Sequence, residues 1–101
     1  MGGIAQALGY ALLENAIYEK GSMLNAQFTN YVIPTALDTP PMHVDIIEKP
    51  YSKGPFGAKG VGELPMDVPA PAVAAAVFSA TGAFITRLPL LPEVIYRAVH
   101  D

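Results

Sequence analysis

Hydrophobic residues recur at three- and four-residue spacing near the start of the chain. Ile4, Leu8, Ala11, Leu12 and Ala16 fall on one face, which predicts a helix over residues 3–20. Lys20 would lie in its last turn, with Gly21 as the left-handed residue that stops it. Ala5, Leu13 and Ile17 occupy the other side, so this helix needs neighbours on more than one face. Met1, Gly2 and Gly3 offer no capping side chain, and the opening reads as that of a chain already under way. Periodicity is lost over residues 22–41, where Asn25, Asn30, Pro34, Asp38, Pro40 and Pro41 mark an irregular connection.

Alternation then predicts a short strand over residues 42–48, with Met42, Val44 and Ile46 opposite His43, Asp45 and Ile47. Residues 49–67 carry Pro50, Gly54, Pro55, Gly57, Gly60, Gly62 and Pro65, so neither helix nor strand propagates there. Tyr51, Phe56, Val61 and Leu64 argue for an ordered loop, and long ordered loops are commonly functional. A second helix is predicted over residues 70–80, with Pro71 in its first turn and Gly82 closing it; its alanines imply close helix packing. A strand over 83–88 and a last helix from Pro92 to Val99 complete an α+β reading.

Composition changes this picture in one respect. Hydrophobic residues make up 51% of the 101 and charged residues only 15%, too few to cover the large surface of so small a domain. Part of that surface is therefore expected to meet more protein, as an oligomer or as a piece of something larger. A net charge of −3 with six scattered basic residues argues against nucleic acid. The absence of cysteine excludes disulfides and cysteine-ligated iron–sulfur clusters within this chain. No apolar run reaches the ~20 residues that span a bilayer, and no basic signal-peptide start is present, so a cytoplasmic location is the expectation.

The run from Gly57 to Glu63 is where the chemistry concentrates. It is not a P-loop, because no Gly-Lys-Ser/Thr closes it, nor a dinucleotide fingerprint, because Pro65 stands where a third glycine would. Two readings remain from the residues alone. One is a surface turn with a solvated Glu63; the other is a backbone whose N–H groups approach a ligand, with a partly buried Glu63 placed as a base. His43 and Asp45 share a face, but two side chains make a solvated pair sooner than a metal site, and no metal ligand is assigned. His100 is expected to be exposed, and Tyr10, Tyr18 and Phe28 to be packing residues. Gln6 is a polar residue within the helix pattern.

The run Gly54-Pro55-Phe56-Gly57-Ala58-Lys59-Gly60-Val61-Gly62-Glu63 closely resembles the C-terminal signature of the molybdenum hydroxylases, the family of xanthine dehydrogenases, aldehyde oxidoreductases and aerobic carbon monoxide dehydrogenases. Gly2-Gly3-Ile4-Ala5-Gln6-Ala7-Leu8-Gly9, then Asn30-Tyr31 through Pro34-Thr35 to Asp38, then Thr81-Gly82 to Pro92-Glu93 resemble the same family in the same order. The resemblance implies a segment of the C-terminal molybdopterin-binding domain of the large subunit. It implies Glu63 as the base of a hydroxylation that uses water, and Lys59, Gly60, Val61 and Gly62 as backbone along the cofactor. The cofactor implied is molybdenum–molybdopterin, in bacteria usually the cytosine dinucleotide form, whose dithiolene, and not the protein, holds the metal. Iron–sulfur clusters and FAD would sit on other domains or subunits, and the partners would be those subunits and the remainder of the large one. Alone, the chain is expected to be inactive. The rival reading is a non-enzymatic remnant that forms a homo-oligomer.

Overall fold

The structure is a computed structural model describing residues 1–101. Helix α1 runs Gly2–Leu12, a hairpin follows as β1 (Tyr18–Glu19) and β2 (Ser22–Met23), and a single 3-10 turn covers Pro55–Gly57. Helix α2 is one turn, Leu64–Asp67; α3 is Pro69–Thr81; α4 is Pro92–His100. This is the α+β fold expected, with the helices dominant.

Helix α1 is the hub. Ala7 and Ala11 on it are fully buried, Ala70 of α3 packs in nearly as deeply, and Leu90 is the one large side chain wholly removed from solvent. Alanine on α1 lets neighbours come close, and the Leu90 N–H donates to the Ala11 carbonyl at 2.7 Å, tying the chain after α3 to the end of α1. Gly9 serves the same close approach. A Cβ there would stand 2.7 Å from Cδ of Pro34 and would also strike the Glu14 carboxylate.

The first helix ends at Leu12, eight residues before the predicted stop. Leu13 and Glu14 both donate their N–H to the Gly9 carbonyl (2.9 and 2.8 Å), closing the helix, and Tyr31 Oη donates to Glu14 at 2.8 Å. Beyond that, Asn25 competes for the backbone: Oδ1 accepts the Ile17 N–H at 2.9 Å and Nδ2 donates to the Asn15 carbonyl at 2.6 Å. Gly21 does take positive φ (81°), but beside Lys20 at 47°, and the pair forms the two-residue turn of a hairpin in which Tyr18 faces Met23.

Neither predicted strand over 42–48 or 83–88 forms. Alternation was present in the first, yet a strand needs a partner, and no backbone hydrogen bond engages residues 42–48. In the second stretch Phe84 instead folds back to meet Phe78 edge-on, ring centroids 5.9 Å apart. Helix α3 matches its prediction within a residue at each end, and Gly82 closes it at φ 75° with its N–H on the Phe78 carbonyl at 2.7 Å. Its close packing is confined to Ala70, the only buried residue of the helix. Leu64–Thr81 is apolar over 18 residues. Its helix is interrupted at Val68–Pro69, however, and the 13 residues of α3 reach only ~20 Å of the ~30 Å of a bilayer core.

Much of the surface is apolar. The chain exposes 8241 Å², against roughly 5,500 Å² for a compact monomer of this size. Its radius of gyration is 17.1 Å, against about 13 Å. Tyr10, Tyr18 and Phe28 are exposed rather than packed, Phe28 at 87%. The reason is that the packed face of α1 is the alanine face, Ala7 and Ala11, which leaves Tyr10 outside, and that too few residues are buried to shelter Tyr18 and Phe28.

Residues 35–38 form a capped turn with a measurable signature. The Thr35 hydroxyl and its N–H both donate to Oδ2 of Asp38, at 2.7 and 2.8 Å. These bonds favour the ionised form and hold the Asp38 carboxyl below its ordinary value of 3.8. A group depressed in the folded state contributes stability above its unfolded value. That contribution is lost as pH falls from about 3.8 through the lower folded value. Asp38→Asn is expected to flatten the acid limb of stability against pH, checked by urea midpoints between pH 2 and 6 (roughly the window that linkage defines).

Candidate functional site

Residues 50–58 close on themselves before the chain reaches Glu63. The Tyr51 N–H donates to the Gly57 carbonyl, and Gly54 and Gly57 continue the ring onto Tyr51 and Gly54, all at 3.0–3.1 Å. Glycine is required twice. Gly57 sits at φ 78°, and a Cβ on Gly54 would collide with the Ala58 carbonyl. Between them Phe56 is held at φ 52°, ψ 23°, with its ring entirely in solvent. An aromatic residue in that region costs about 1–2 kcal/mol, sustained here by the closed ring of hydrogen bonds around it.

Past Ala58 the backbone opens. None of the N–H groups from Lys59 to Glu63 finds an acceptor within the chain. Hypothetical Cβ atoms at Gly60 and Gly62 meet only open space. The Lys59 ammonium has no ion-pair partner, the only salt bridge being His43 Nε2 to Asp45 Oδ2 at 3.2 Å on an exposed surface. The result is a strip of main-chain donors beside one cation, free to face an acceptor-rich group.

Lys59, Gly60 and Val61 line a groove of about 610 Å³ together with Ile46–Pro50, residues 56–58 and Leu64. Gly62 and Glu63 lie outside it. Sequence reasoning missed Ile46–Pro50, for which the only signal was an alternating stretch running into a proline. Glu63 precedes α2 with helical backbone angles (φ −87°, ψ −22°), and its carbonyl accepts the Met66 N–H at 2.8 Å. Its side chain is exposed and makes no hydrogen bond or ion pair. The partly buried carboxylate expected from the apolar flanks is thus not found within this chain. Val61 and Leu64 are themselves 66% and 69% exposed, so they shelter nothing.

Gln6 is exposed on α1, and His100 is exposed as expected, its Nδ1 2.8 Å from the Tyr96 carbonyl and its ring stacked on Tyr96. No three His, Asp or Glu side chains gather in a metal-holding group. The free main-chain donors of residues 59–63 beside the Lys59 ammonium suit an anionic group rich in oxygen and nitrogen acceptors. A molybdopterin fits that description.

Comparison with known proteins agrees. Residues 1–40 match the molybdopterin cofactor-binding domain family. The chain is 41% identical over 101 residues to the aldehyde oxidoreductase of Megalodesulfovibrio gigas, covering 97% of this chain and 11% of that protein. It is 34% identical over 101 residues to the xanthine dehydrogenase molybdenum-binding subunit of Escherichia coli O157:H7, covering 98% and 13%. Its fold superposes on the crystal structure of quinoline 2-oxidoreductase from Pseudomonas putida 86 with a TM-score of 0.88 and 38% identity, over 99% of this chain and 13% of that one. The chain belongs to the molybdopterin-binding large subunits of the xanthine dehydrogenase/aldehyde oxidase family, and spans about an eighth of the length of these relatives.

Proposed function

We propose that this chain contributes the base, Glu63, and a cofactor-contacting backbone, Lys59–Gly62, to a molybdenum hydroxylase acting on an electron-poor carbon with water as the oxygen source. The observation that carries this reading is the strip of five unpartnered N–H groups ending on an exposed, unpaired carboxylate. The two-electron redox chemistry belongs to the molybdenum–molybdopterin group, in its cytosine dinucleotide form. The chain's own part is to orient and to move a proton. Main-chain donors from Lys59 to Gly62 face the acceptors of the cofactor, the Lys59 ammonium offsets anionic charge, and a Glu63 oxygen accepts the proton released in the attack on substrate.

Iron–sulfur clusters and FAD on other domains or subunits would carry the electrons away, and this cysteine-free chain offers no thiolate to ligate a cluster. The setting is cytoplasmic. The exposed surface, about half as large again as a compact monomer needs and rich in apolar side chains, supports burial against the remainder of the large subunit. Catalysis rests on a preorganised constellation of which this chain holds one side.

Purified alone, the chain is expected to carry no molybdenum by elemental analysis and to oxidise neither xanthine nor an aldehyde. Co-expressed with the rest of a large subunit, it is expected to co-purify with stoichiometric molybdenum. A stable homo-oligomer that ignores that partner would favour the non-enzymatic remnant instead.

A further inference from the structure

Gly2 and Gly3 stand side by side at the start of α1, and the structure gives them different surroundings. A Cβ on Gly2 meets nothing within 4 Å. A Cβ on Gly3 would lie 2.6 Å from Cγ and 3.1 Å from Cβ of Pro65, distances that packed atoms do not tolerate. Pro65 therefore sits directly on the bare backbone of the first turn of α1. Pro65 is also in the first turn of α2, where its ring fixes φ and its missing N–H costs no hydrogen bond. Glu63 is two residues earlier, already helical in φ and ψ, and its carbonyl holds the Met66 N–H at 2.8 Å. From Glu63 to Asp67 the backbone is one short helical body, and at the Gly3–Pro65 contact it rests on the first turn of α1.

We propose that Gly3 and Pro65 are positioning residues for Glu63: the missing side chain at Gly3 sets how closely the turn carrying the carboxylate approaches α1, and so where that carboxylate stands relative to the Lys59–Gly62 strip. No hydrogen bond of its own side chain steadies Glu63, and no N–H from Lys59 to Glu63 is anchored within the chain. The Pro65 seat is the first fixed point after the open stretch. A shift of the base by about 1 Å is enough to cost a hundredfold in rate. The inference rests on the reading of Glu63 as base.

The test uses the complete, molybdenum-loaded enzyme with xanthine, benzaldehyde and quinoline as probe substrates, and compares Gly2→Ala with Gly3→Ala. Both replace a glycine in the same helical turn, so any general effect on the helix is shared. Gly3→Ala is expected to lower kcat on the probe that turns over by about tenfold to a hundredfold, with KM within about twofold and molybdenum content unchanged. It is also expected to speed hydrogen exchange at the Met66 amide, a readout independent of turnover. Gly2→Ala should change neither. Equal losses in both variants, or an unaltered kcat and Met66 exchange in Gly3→Ala, would overturn the proposal. Should Gly3→Ala fail to assemble, Pro65→Ala decides: it removes the ring that rests on Gly3 and is expected to lower kcat without loss of molybdenum, and wild-type kcat there counts against the proposal. Glu63→Gln separates the two readings. If it retains full activity the base assignment falls, whereas if it is inactive while Gly3→Ala is normal, only the positioning role falls.

Discussion

Glu63→Gln in the assembled enzyme is expected to lower kcat by roughly 10²–10⁴-fold, the range that a general base contributes, while leaving KM close to wild type. The amide keeps the size and shape of the carboxylate and loses its charge and with it the capacity to take a proton. Few substitutions isolate chemistry from folding so cleanly, because Glu63 makes no side-chain hydrogen bond and no ion pair within the chain. What holds its backbone is the Met66 N–H on the Glu63 carbonyl, which glutamine preserves. Molybdenum content and the unfolding midpoint should therefore match wild type. Steady-state kinetics on matched, fully loaded preparations provide the measurement, and a variant with unchanged kcat would remove Glu63 from the reaction.

Leu90→Ala carries the largest expected effect on stability. Truncating a fully buried leucine costs about 2–5 kcal/mol, the spread reflecting how far the site can collapse. Here the neighbours of Leu90 can collapse little, since Ala11 beside it carries only a methyl group, and the Leu90 N–H is already committed to the Ala11 carbonyl. With only six residues buried in the whole chain, the loss falls on a small reserve. A typical domain has ~5–15 kcal/mol in total, and this core is far smaller than typical. The expected result is loss of a cooperative thermal transition in the isolated chain, followed by circular dichroism, and a lowered midpoint in the assembled subunit. A melt superimposable on wild type would show that the anchor lies elsewhere.

Local signals were legible and distant ones were not. Helix α3 could be placed within a residue because its determinants are its own: prolines in the first turn and Gly82 at φ 75° just past the end. The existence of α1 was equally plain, but its end depends on Asn25 seizing the backbone at Asn15 and Ile17, which periodicity does not register. Gly21 shows how one property serves two structures. Its readiness for positive φ suits a helix stop and a hairpin turn alike, and the positive φ of neighbouring Lys20 goes with the hairpin. For residues 42–48, alternation describes how a strand would face a sheet without saying that a sheet is there.

The site divides along the same line. The ordered motif drew attention to Glu63 and to Lys59–Gly62, and the structure keeps Lys59, Gly60 and Val61 in one groove with Ile46–Pro50. The seat of Pro65 on Gly3 joins parts of the chain far apart in sequence. A reading along the chain sees a glycine with no capping role at one place and a proline after the motif at another. Only their contact gives either a purpose.

The hydrogen bond between Leu90 and Ala11 has a consequence for synthesis. Its two ends lie near opposite extremes of the segment, so the core cannot close while the chain between them is still being made. Emerging vectorially, the end of α1 at Ala11 lacks its Leu90 partner until the residues around Leu90 leave the ribosome. Long-range closure of this kind is slow and leaves apolar surface open meanwhile. Within this segment the order is set accordingly: α1 is made before the residue that completes its packing.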